Sequence, residues 1–221
     1  MFKRAKGKTI ITGFHGIGMV GFIAMDYLIK KLEAKRVNWK YEEYMPAVVF
    51  TTGKGIEMPV ELYEVKDLLL LKVNMVLEKE NMNKFLKDIF KELKLAKPKQ
   101  FIVLGGLATE EKSIYGVANS KGEKFISKLD VKRFKKEITV FGPMAGSLIY
   151  GEKTGVPVIC MLPNATANLP DPDAASRAVK KLSKAFNFEI DISGLQKEAK
   201  KIEDRMKDME NKDEMTERMF V

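Results

Sequence analysis

Cysteine is nearly absent from this chain of 221 residues: Cys160 stands alone, so no internal disulfide can form. That suits a reducing compartment, and its apolar strand-like surroundings read as those of a buried, inert thiol. Histidine is equally scarce. With His15 the single copy, a zinc site built from nitrogen and sulfur is excluded for practical purposes, while a carboxylate-only metal site stays open. No apolar run approaches the ~18 residues that a membrane span needs, so no membrane partner is expected. Residues 1–8 are basic, but a strand-like run with glycines follows them rather than a signal-peptide core, and a cytoplasmic location is expected. Only two glutamines accompany the many Lys and Glu, a preference for charge seen in thermophile proteins.

Charge itself is plentiful. There are 39 basic and 30 acidic residues, net +9, and hydrophobic residues make up 45% of the chain, ordinary for one generous globular domain. The two signs are interleaved on helix faces, which reads as an ion-pair-laced surface. No nucleic-acid recognition motif accompanies the charge, so nucleic acid is not an expected partner.

Along the chain, strands and helices alternate. Lys8 to Thr12 reads as a buried strand leading through Gly13-Phe14-His15-Gly16 into a helix from Gly18 to Glu33. Strands are expected at Arg36–Tyr44, Ala47–Thr52, Met58–Tyr63 and Leu68–Val73, with the turn Gly53-Lys54-Gly55 among them. A helical stripe covers Glu80–Leu95. Strands at Gln100–Leu104, Ile114–Ala118, Ile138–Phe141 and Val156–Leu162 follow, with a short helix at Gly122–Lys128 and another at Ala145–Lys153. Asp171-Pro172-Asp173 opens a helix to Phe186, Asp as cap and Pro at the first helical position. Such alternation predicts a layered α/β fold over residues 1–190 with a mixed sheet, since the cluster between Arg36 and Val73 has no crossover helix. Residues 191–221 differ. Leu195, Ala199, Ile202, Met206 and Met209 step at heptad spacing through a highly charged helix that starts at Ser193, too short to stand as a coiled coil alone, and the last residues are expected to project.

Gly16-Ile17-Gly18-Met19-Val20-Gly21 matches the dinucleotide fingerprint, with Glu42 or Glu43 placed to meet a ribose. The same glycines also serve wherever a helix packs closely on a sheet, and Gly13-Phe14-His15 separates strand from fingerprint. His15 has no orienting partner or nucleophile identifiable in the sequence, which reads as a loop histidine. Pro163 to Asp171 is a polar loop at a strand's end, where α/β proteins often bind ligands, although turn chemistry and the helix cap already explain it. Met219-Phe220-Val221 closes an otherwise polar stretch. Burial of the Phe220 ring in a partner's pocket would contribute ~2–3 kcal/mol, and the alternative is a chance apolar end or a fold back onto the same subunit.

The segments Gly13-Phe14, Gly55–Glu61, Val103–Leu107, Tyr115–Ser120, Pro143–Gly151 and Val158–Leu162 before Pro170-Asp171-Pro172 together resemble the archaeal homologues of the eukaryotic proteasome assembly chaperone 2. The resemblance covers residues 8 to 190. It implies a three-layer α/β/α fold with a mixed central sheet similar to nucleoside phosphorylases, no catalytic residues and no cofactor. It also implies a homo-oligomer, or a pairing with a paralogue, that engages α-subunits of the 20S proteasome. A family tail of hydrophobic residue, tyrosine and any residue maps onto Met219, Phe220 and Val221, with phenylalanine where the family has tyrosine. The rival expectation is a nucleotide- or small-molecule-binding enzyme, ATP-grasp, ligase-like or phosphorylase-like, built on Gly16, Gly18 and Gly21.

Overall fold

Thr9–Gly13 is buried at every position, as a strand covered on both faces must be, and this β1 forms the middle of the sheet. The computed structural model describes residues 1–51, 53, 55–109 and 111–200. A 3-10 turn at Ile17–Met19 leads from β1 into α1 (Val20–Lys31), and β2 (Lys35–Lys40) follows. A small separate hairpin, β3 (Phe50–Thr51) and β4 (Ile56–Glu57), precedes β5 (Val60–Val65) and β6 (Leu68–Val73). Next come α2 (Lys79–Ala96), β7 (Gln100–Leu104), β8 (Ile114–Ala118) and the short α3 (Glu123–Ile126). The series ends with α4 (Gly142–Thr154), β9 (Val158–Pro163) and α5 (Pro172–Phe186).

Seven strands join in the order β2-β5-β6-β1-β7-β9-β8. β1 pairs parallel to β6 and β7, and β7 parallel to β9, whereas β5 runs against β6, β2 against β5 and β8 against β9. Alternate residues of each strand point to opposite faces, which divides the core in two. Ile11, Leu70, Ile102, Ile159 and Met161 meet α1 and α5 on one face. Ile10, Leu69, Leu71, Phe101, Val103 and Cys160 meet α2 and α4 on the other. The α2 stripe of Phe85, Leu86, Ile89, Phe90 and Leu93 is wholly buried there, each side chain contributing about 1.5–3 kcal/mol. The three-layer α/β/α fold with a mixed sheet is therefore the observed one.

Several boundaries differ from the sequence reading. Ala47–Thr52 shrinks to the two-residue β3, because the chain turns at Gly53 and Gly55, both at positive φ, into β4 rather than joining the main sheet. Ile138–Phe141 is not a strand. The outer edge of β8 is already met by Lys132, which bridges Tyr115 and exchanges backbone hydrogen bonds with Ile114 and Gly116, so residues 138–141 pass beyond the sheet instead. Residues 193–200 are helical, and Leu195 packs into the α1–α5 core at 2% exposure. The remainder of the expected C-terminal helix, with Met219, Phe220 and Val221, lies outside the described residues. Among the described residues no helix is long and apolar enough to cross a membrane.

Candidate functional site

The carboxyl ends of β1, β7 and β9 lead into two glycine-bearing segments, 13–21 and 105–106, and the loop 163–171, and backbone proximity dictates the residue type at the glycines. A Cβ on Gly13 would stand 2.3 Å from the Gly21 carbonyl oxygen, and one on Gly21 would stand 2.4 Å from the Leu104 carbonyl oxygen. The first turn of α1 thus rests directly on the ends of β1 and β7. Gly18 sits at φ 62, and its carbonyl accepts a 2.8 Å hydrogen bond from the Asp171 amide. A side chain on Gly106 would run into the Ile17 carbonyl at 2.2 Å. Gly16, by contrast, has open space around it.

Two amides of this turn are engaged within it. Met19 N–H donates to the Gly16 carbonyl at 2.8 Å, and Val20 N–H donates to that of Ile17. Of the three glycines named from the sequence, Gly18 and Gly21 serve close packing, and only Gly16 faces space. Gly18 and Gly21 of the fingerprint seat a helix against a sheet, the other use of such glycines.

The loop 163–171 lies over this turn and is locked by its own polar groups. Asp171 accepts from Ala174 N at 2.8 Å as the cap of α5, and its second oxygen accepts from Thr166 N at 2.9 Å. Arg177 donates to both the side-chain and main-chain oxygens of Asn164 at 2.6 Å. Turn chemistry and capping account for each of these residues.

On the α2–α4 side of the same strand ends lies a cavity of about 290 Å³. Its walls are Phe14, Ile17, Leu104, Leu107, Met144 and Leu162, and its lip is the segment 138–143. Ile138 and Phe141 stand 41% and 71% exposed at that lip. His15 and Thr139 supply the only polar side chains of the lining. His15 stacks on Phe22 with ring centres 4.2 Å apart, and its Nδ1 is buried with no partner among the described residues. Burial lowers its basicity, partly offset by a hydrogen bond to the Met75 backbone, so the ring is neutral at pH 7. One neutral imidazole and one hydroxyl do not make a nucleophile, base and orienting acid. The cavity can shelter an apolar group. Sequence reasoning missed it because its lip comes from a segment read as a strand; the uncharged run Ile138 to Met144 in a chain that is 31% charged was the available signal.

Cys160 is fully buried with its thiol pushed up to about 12 by desolvation, which makes it a packing residue of β9. Among the described residues no group of three or more His, Cys, Asp or Glu is arranged to hold a metal ion.

Comparison with known proteins adds independent findings. A family model described as the PAC2 family matches residues 10–210. The uncharacterized protein MJ0106 of Methanocaldococcus jannaschii is 31% identical over 206 residues, spanning 90% of this chain and 84% of that protein. Among solved structures, PbaA of Pyrococcus furiosus, an archaeal homolog of proteasome-assembly chaperone, superimposes with a TM-score of 0.81 at 23% identity, covering 93% of this chain and 92% of that one. PbaB of the same organism, an archaeal proteasome activator, gives a TM-score of 0.79 at 21% identity, covering 94% and 95%. At these identities the structural likeness is one of fold.

Proposed function

The chain belongs to the PAC2 family, and from that premise we propose that it is a proteasome assembly chaperone or activator-like protein that binds the α-ring of the 20S core particle. The observation that carries this reading is the end-to-end fold likeness to PbaA and PbaB, a chaperone homolog and a proteasome activator. In this proposal the protein is not an enzyme and works in the cytoplasm through its surfaces, as a homo-oligomer or with a paralogue. In this reading residues 1–190 are the core, with Leu195 packed on it, and residues 191–221 are the segment that carries the docking contact. Contact is made by Met219, Phe220 and Val221, whose apolar side chains enter pockets on the ring. One buried phenylalanine supplies only ~2–3 kcal/mol, so several tails on one oligomer are needed, and avidity converts weak single contacts into stable docking.

The test is retention on immobilised core particles, comparing the full chain with one ending at Arg218, alongside mass measurement of the free oligomer. Loss of retention with an unchanged oligomer supports the tail mechanism. Equal retention of both forms sinks that mechanism, and no retention of either sinks the proteasome reading itself. The rival enzyme built on Gly16, Gly18 and Gly21 is weakened by the engaged amides of Met19 and Val20. A thermal-shift screen with ATP, NAD and nucleosides tests it, and a shift abolished by Gly16→Val would revive it.

A further inference from the structure

The end of the sheet opposite the glycine turn holds a recess of about 1210 Å³, formed where the amino ends of β1, β6 and β7 meet the carboxyl ends of α1 and α5. Seven lysines line it against three carboxylates, Glu33, Asp67 and Glu189. Lys8 is committed to Glu64 at 2.6 Å. The other six, Lys6, Lys31, Lys66, Lys99, Lys128 and Lys184, have no carboxylate within ion-pair distance among the described residues, although the surface elsewhere carries many such pairs.

Helix ends explain part of this. Lys31 and Lys184 lie in or beside the last turns of α1 and α5, where the dipole favours a cation. Lys31 also lies over the Tyr27 ring and Lys128 over Phe186. Lys6 and Lys66 have no such reason, being placed on the N-terminal loop and the β5–β6 turn. Seven lysines against three carboxylates around a concave wall, with Asp130 felt by Lys184 and Asp191 by Lys31, leave an excess of positive charge whose potential is focused into it.

We infer that this recess docks an acidic polypeptide segment of a partner protein. Charge complementarity selects the sign. The residue types select the class: the lining holds no arginine, the residue whose planar fork suits phosphate. Lys128 lies over the Phe186 ring and Phe188 is buried, so the lining offers little aromatic face for a base to stack on. Lysine ammoniums spaced around a rim suit carboxylates spaced along an extended chain, and Leu32, Val65, Leu68 and Phe188 give their aliphatic stems an apolar floor. The inference does not depend on the tail contact.

The test uses the full chain and a fluorescent peptide of roughly 12 residues alternating Glu and Ser, read by anisotropy at about 50 and 300 mM salt. Lys6→Glu with Lys99→Glu is compared with Lys87→Glu with Lys94→Glu, an equal charge change on the exposed face of α2, each variant being checked for native circular dichroism. The expected result is a loss of about tenfold or more for the recess pair, under about threefold for the control, and weaker binding at high salt. Equal losses from both pairs, or no binding at low salt, overturn the inference. So does tighter, recess-dependent binding of a single-stranded oligonucleotide of the same charge.

Discussion

Placing a methyl group on Gly21 forces an atom to within 2.4 Å of the Leu104 carbonyl oxygen and 2.8 Å of the Gly13 Cα. Both neighbours are backbone, so no flexible side chain can swing aside, and the first turn of α1 must lift from the ends of β1 and β7. Overpacking of this kind costs about 1–3 kcal/mol, at the upper end where backbone must move. Alanine's better helix propensity returns up to ~1 kcal/mol, less here because Gly21 lies in the first turn. The net for Gly21→Ala is a loss of about 2 kcal/mol, which for a chain of this length lowers Tm by about 4–8 °C. Gly16→Ala is the matched control. Its φ of −177 is extended backbone open to any residue, and nothing lies within 4 Å of the new methyl. It should stay within about 0.5 kcal/mol of the parent, or roughly 2 °C. Differential scanning calorimetry of the three proteins decides the matter. Equal Tm values for Gly21→Ala and the parent would refute the packing account of the glycine turn.

The buried Lys72 ammonium, joined to Asp26 at 3.1 Å and Glu57 at 2.7 Å, gives a pH prediction. Burial works against ionisation of Asp26, but the hydrogen bonds and charges of Lys30 and Lys72 outweigh it and hold the carboxyl below its ordinary 3.8. A depressed folded-state value means that the unfolded chain binds the proton first, so this stabilisation is complete above that ordinary value and lost as pH falls through the lower one. Denaturant titrations between about pH 2 and 6 should show the gap between parent and Asp26→Asn closing at the acid end; a gap that widens on acidification contradicts the sign. The Cys160 thiol, buried and raised to about 12, should resist Ellman's reagent until the chain unfolds. Reaction in native buffer at the rate of a free thiol would mean that β9 opens locally.

Legibility in the sequence followed local punctuation. β7 and β8 were read to the residue, being short apolar runs bounded by loop residues, and α5 was read from its Asp-Pro opening. The strands in region 36–57 were read too long because β2 is an edge strand with mostly exposed residues and the β3–β4 hairpin belongs to a different sheet, so neither shows the burial pattern that marks a strand's ends. The Gly16–Gly21 spacing was visible, but its use was not: whether an amide faces a ligand or its own 3-10 turn depends on the φ of Gly18 and Met19, which no spacing encodes. The cavity and the lysine recess were out of reach for another reason. Each is assembled from segments dozens of residues apart, and single lysines in six places look like an ordinary solvated surface.

The two ends of the sheet differ in a way that bears on how such a molecule works. At the carboxyl end, where α/β proteins usually bind small ligands, the Met19 and Val20 amides are engaged within the turn, loop 163–171 is fastened by Asp171 and Arg177, and the remaining hollow is apolar. At the amino end, normally left to structural duty, unpaired lysines surround a far larger recess. Chemistry on a bound substrate needs fixed polar groups held in a dry pocket; recognition of another protein needs exposed charge and apolar anchors presented outward. This chain has few of the former at the expected place and many of the latter elsewhere. The strand-end hollow, with Phe141 71% exposed on its lip, is lined almost wholly by apolar groups, whereas the recess at the opposite end is lined mainly by charged ones.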